Sequence, residues 1–163
     1  MGETRMLRLY RKMVDEDDSY TSMVRRLGRT RGSALDVMTK LEIVCNELFL
    51  ATILGFFERD KRLEEESERL DNTMKIRILK GLGKIDGDLS SALLLLHTTR
   101  NGLAHAWNIN HVEYTGQKLS NNFDIFKQDL DKAWSKIIQI YRQGQEPNID
   151  TFIRRMENEI SGP

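Results

Sequence analysis

Apolar residues recur every three or four positions along most of this chain, and no segment alternates apolar and polar residues for long enough to read as a strand. Met6, Leu9, Tyr10, Met13 and Val14 share one helical face, and the acidic run Asp15 to Asp18 ends that pattern. Tyr20, Met23, Val24 and Leu27 predict a second short helix. Ser33 suits the N-cap of a long helix whose stripe runs from Leu35 through Val37, Met38, Leu41, Val44, Cys45, Leu48 and Phe49 to Phe56 and Phe57. That stripe is wide enough to predict burial on more than one side, with Glu42 and Glu47 as a solvated edge.

The next stretch, from Glu58 to Asp71, reads as a charged connector with helical content. Thr73 can cap a helix through Ile76, Leu79 and Leu82 that stops near Gly81 and Gly83. After Asp86-Gly87-Asp88, the run from Leu89 through Leu96 opens a central helix directed toward Trp107. Residues 108–122 read as a loop. Phe123, Phe126, Leu130, Ala133, Trp134, Ile137, Ile138 and Tyr141 predict an amphipathic helix, and Pro147 suits the first turn of a final short one. The expected fold is all-α: an up-and-down four-helix bundle over residues 33–143, preceded by a helical extension at 1–32 and followed by a short helix at 144–163.

Composition narrows the function. With 25 Lys plus Arg against 25 Asp plus Glu, the chain lacks the basic excess of a non-specific nucleic-acid coat. Arg25, Arg26, Arg29 and Arg31 form a local basic cluster that reads as a solvated helix end. A lone cysteine, Cys45, excludes an internal disulfide and a multi-cysteine zinc site, and its apolar neighbours mark it as an inert core thiol. No apolar run reaches the length of a membrane helix, and the charged start has no signal-peptide core, so the expectation is a cytoplasmic protein.

Chemistry concentrates in Arg100-Asn101-Gly102-Leu103-Ala104-His105. Arg100 can grip a phosphate with parallel donors, His105 can exchange a proton near neutrality, and Asn101 can orient either. Together they suit attack of an RNA 2′-hydroxyl on the adjacent phosphate, which needs proton transfer and charge stabilisation but no metal. The same residues also fit an ordinary salt bridge and a hydrogen-bonded helix-end histidine. His97 and Asn101 fall on the stripe of His105, whereas Arg100 lies ~140° round an ideal helix from it. For the two to cooperate, the helix must break near Gly102, Arg100 must reach, or a second copy must supply one of them. His97, His105 and His111 have no carboxylate at ligand spacing, so neither a metal nor a cofactor is expected, and Gly81-Leu82-Gly83-Lys84 lacks the spacing of a phosphate loop.

An apolar helix running into Arg-Asn-x-x-x-His and then an aromatic resembles the signature of the HEPN superfamily (higher eukaryote and prokaryote nucleotide-binding domains), in particular its mannitol-repressor-like and ribonuclease-like bacterial branches. The likeness spans roughly residues 33–143. It implies a four-helix bundle that pairs as a homodimer, with the motif segments facing each other. It further implies metal-independent RNA cleavage in which Arg100 binds the scissile phosphate, His105 acts as acid or base and Asn101 positions them. The resemblance also implies a toxin or defence role and an antitoxin or regulatory protein as partner. A non-catalytic regulator of the mannitol-repressor kind and a nucleotide-binding accessory subunit are the alternatives.

Overall fold

The computed structural model describes residue 20, residues 22–55 and residues 60–160, with backbone alone for 142 and 144–160. The helix anticipated at Met6 to Val14 and the core positions Phe56 and Phe57 lie outside the described residues. Within them the chain is mostly helical, with one small hairpin. The elements are α1 (Arg31–Leu54), α2 (Lys61–Glu68), α3 (Asn72–Gly81), α4 (Gly87–His105), a 3-10 turn (Ile109–His111), strands β1 (Glu113–Tyr114) and β2 (Gln117–Lys118), and α5 (Phe123–Ile160).

The helix starts follow capping chemistry, though not always at the anticipated residue. α1 begins two residues before Ser33, because Thr30 is the N-cap and its hydroxyl accepts the Ser33 N–H at 3.2 Å. Asp60 caps α2 through the Leu63 N–H, so much of the supposed connector is a true helix. Asp86 caps α4 through the Leu89 N–H at 2.7 Å. α4 then runs unbroken through Gly102 to His105, which removes the helix break that would have let Arg100 and His105 meet.

α1 packs against α3, α4 and α5, and α4 also packs against α3 and α5. The second half of α1 is buried almost all round, from Val44 and Cys45 through Leu48, Phe49, Leu50 and Ala51, as its wide stripe predicts. Glu47, expected at a solvated edge, is buried as well. In α4, Leu89, Leu93 and Leu96 enter the core while Leu95 stays 37% exposed, so its apolar opening is only partly central. The segment before α1 closes the bundle: Tyr20, Val24 and Leu27 are buried, and the Tyr20 ring stacks on Trp134 with centroids 3.8 Å apart. The described part of the N-terminal extension thus packs on the bundle of its own chain.

Two elements differ from expectation. The 108–122 loop holds the β1–β2 hairpin, closed by Thr115 and Gly116, both at positive φ. Strands of two residues are too short to leave a period-two signature. And α5 passes through Pro147 without a second start, so the short C-terminal helix is the continuation of one long element.

Candidate functional site

The site grows from the antiparallel contact of α1 and α4. Arg31, at the start of α1, reaches the end of α4, while Glu42, three turns on, reaches the middle of α4. Glu42 is the hub. Its Oε1 accepts a hydrogen bond from His97 Nδ1 at 2.7 Å, and its Oε2 faces Arg100 Nε at 3.5 Å. That second contact is an ion pair outside hydrogen-bond geometry, which leaves the buried Arg100 Nε without a hydrogen-bond acceptor. With Nδ1 of His97 donating to Glu42, Nε2 is free to accept from Asn101 Nδ2, and the two lie 3.3 Å apart. Asp71, at the start of α3, stands 3.9 Å from the same nitrogen. One carboxylate thus fixes an imidazole and a guanidinium side by side on α4.

Lys75 of α3 extends the polar seam. Its ammonium donates to Asn46 Oδ1 at 2.7 Å and to the Glu68 carbonyl at 3.2 Å, and lies over the Phe49 ring. Burial pulls its pKa below the ordinary value; Glu68, Cys45, Asp71 and Glu42 counter that pull. A small pocket between α1, α3 and α4 is floored by Met38, Leu41 and Leu96 and rimmed by Glu42, Asn46 and His97. Cys45 also lines it, but burial raises its thiol to about 12, so it is not a nucleophile at neutral pH.

The sequence motif is therefore divided. Arg100 is half-buried and turned toward Glu42. Asn101 and His105 are exposed, and they share the outer stripe of α4 with Ser91, Leu95 and Thr98. His105 is the last residue of α4, and two residues beyond it Trp107 is 92% exposed. The unbroken helix sets Arg100 and His105 five residues apart, ~140° round and about 7.5 Å along the axis, so a single chain does not bring them together. It joins Arg100 instead to His97, Asn101 and Glu42. Glu42 had looked like a solvated edge; its only signal was a carboxylate interrupting an apolar stripe, which is too common to single it out.

The basic cluster before α1 is also divided. Arg25 and Arg26 point to solvent, Arg29 sits 5.6 Å over the Phe123 ring, and Arg31 binds the carbonyls of Leu103 and Ala104. Among the described residues, no three His, Cys, Asp or Glu side chains gather in a metal-holding arrangement. No helix there is long and apolar enough to cross a membrane. Compared with known protein families, curated proteins and solved structures, the chain finds no match.

Proposed function

We propose that this chain is a HEPN-like, metal-independent endoribonuclease that acts as a homodimer, with Arg100 of one copy completing the site of His105 in the other. The observation that carries the reading is the exposed end of α4. Asn101 and His105 share its outer stripe and Trp107 stands bare beside them, while Arg100 belongs to a different face. A proton-transfer group left open at a helix end, and a cation it cannot reach in its own chain, suit a site shared by two copies. In the reaction, His105 takes the proton of the RNA 2′-hydroxyl or delivers one to the departing 5′-oxygen. The 2′-oxygen attacks phosphorus, the P–O5′ bond breaks, and the guanidinium of Arg100 stabilises the charge on the phosphoryl oxygens. Glu42 pairs electrostatically with Arg100 Nε, and the phosphate contacts of this reading are made by the Nη groups.

The experiment is cleavage of mixed single-stranded RNA in the presence of chelator by wild type and His105→Ala. Cleavage that survives chelator and falls at least about a hundredfold in the variant supports the reading, that being the scale of lost acid–base catalysis. A folded, dimeric sample that leaves RNA intact defeats it. One observation favours a second reading, a non-catalytic regulatory module: Arg100 already has an internal anion, Glu42. In that case Trp107 and the outer stripe of α4 form a protein-contact surface, and the RNA result separates the two.

A further inference from the structure

α4 ends without help from its own backbone. α1 closes on Gly55, whose N–H returns to the Ala51 carbonyl; α2 closes through Arg69 and α3 through Leu82 in the same manner. The residue after α4, Ala106, is instead extended (φ −86°, ψ 152°) and makes no such bond, so the last carbonyls of the helix need another donor. Arg31 provides it from 72 residues away: Nε donates to the Leu103 carbonyl at 2.6 Å and Nη2 to the Ala104 carbonyl at 2.9 Å. Those two residues immediately precede His105.

The placement of Arg31 in α1 sharpens the point. It occupies the first turn of α1, where the helix dipole disfavours a cation, and no acidic residue in that turn offsets it. The negative end of α4 lies against it and supplies the missing partner. A lysine could reach only as a point charge; the planar fork of arginine spans two successive carbonyls and fixes their orientation.

We propose that Arg31 is a positioning residue for His105: by capping α4 from another helix it sets where the helix stops and the direction in which the imidazole leaves it. The proposal rests on the ribonuclease reading for the chemistry that His105 performs. Its test uses full-length wild type, Arg31→Gln, Arg31→Lys and, as a control, Asp86→Ala, which removes the cap at the opposite end of the same helix. Amide hydrogen exchange is read without RNA, and cleavage is read with single-stranded RNA. In Arg31→Gln the amides of Leu103, Ala104 and His105 are expected to exchange about tenfold faster, with Leu93 and Leu96 unchanged. The variant's kcat should fall about tenfold with KM within about twofold, and Arg31→Lys should recover part of both losses. Asp86→Ala should leave exchange at the motif end and kcat as in wild type. Unchanged exchange or unchanged kcat in Arg31→Gln, beside a wild type that cleaves, overturns the role of Arg31 alone. A wild type that does not cleave overturns its catalytic role along with the ribonuclease reading, and faster helix-end exchange does not restore it.

Discussion

The side chain with the widest influence in this molecule is Glu42. A single carboxylate in the middle of α1 serves two partners on α4, His97 through one oxygen and Arg100 through the other. Removing it takes the acceptor from the His97 Nδ1–H and the counter-charge from the buried Arg100 guanidinium, and an orphaned polar group costs more than the bond itself contributed. Because the Glu42 side chain is 21% exposed, water can repair part of that loss. Glu42→Ala is expected to destabilise the fold by about 1–2 kcal/mol in urea denaturation, and Glu42→Gln by less, since the amide oxygen can still accept from His97. Equal stability of Glu42→Ala and wild type would show that the pair is decorative.

At the scale of elements, the hairpin between α4 and α5 shows how a strained turn is tolerated. Thr115 is β-branched and sits at φ 53°, a backbone region that its side chain disfavours. Asn122 compensates: its amide donates to the Tyr114 carbonyl at 2.8 Å and to the Thr115 hydroxyl at 2.7 Å, tying the turn to the start of α5. Asn122→Ala should therefore cost about 1–2 kcal/mol, with faster amide exchange in Tyr114 to Lys118 as the local sign. This element was invisible in the sequence, because two-residue strands are made by the turn and by Asn122 rather than by periodicity. The long helices, by contrast, were legible, since the 3.6-residue stripe of α1 and the run of leucines in α4 reflect the burial that stabilises them. Boundaries were less legible: α4 starts at Gly87, capped by Asp86, two residues before the leucine run that announced it. At Ser33 and Thr73 a nearby hydroxyl misled, because Thr30 and Asp71 occupy the cap positions. The motif could be found from residue types, but its partner Glu42 and the helix cap from Arg31 are long-range contacts that no local spacing records.

For the whole molecule, burial of weakly acidic groups links stability to alkaline pH. Burial pushes the hydroxyls of Tyr20 and Tyr114 well above their ordinary 10.0, with Asp131 adding to the first and the Asp129 hydrogen bond to the second, and it lifts Cys45 from 9.0 to about 12. Each of these holds its proton in the folded state after the unfolded chain has lost it. Their stabilising contributions are complete below about pH 9 and decline as pH rises through the window up to the raised values. Lys75 acts in the opposite sense: its lowered pKa means that the folded state binds fewer protons just below 10.5, so its penalty fades as pH rises. With three groups opposing one, the urea midpoint should hold steady near pH 8 and fall by about pH 11; a rising midpoint would contradict the burial of these groups. The same packing places the two tryptophans in opposite surroundings, Trp134 stacked on Tyr20 at 1% exposure and Trp107 at 92%. Fluorescence from this chain is therefore two signals in one spectrum. The component from Trp134 reports the integrity of the bundle, and the one from Trp107 reports whatever approaches the end of α4, so folding and engagement can be followed separately without attaching a label.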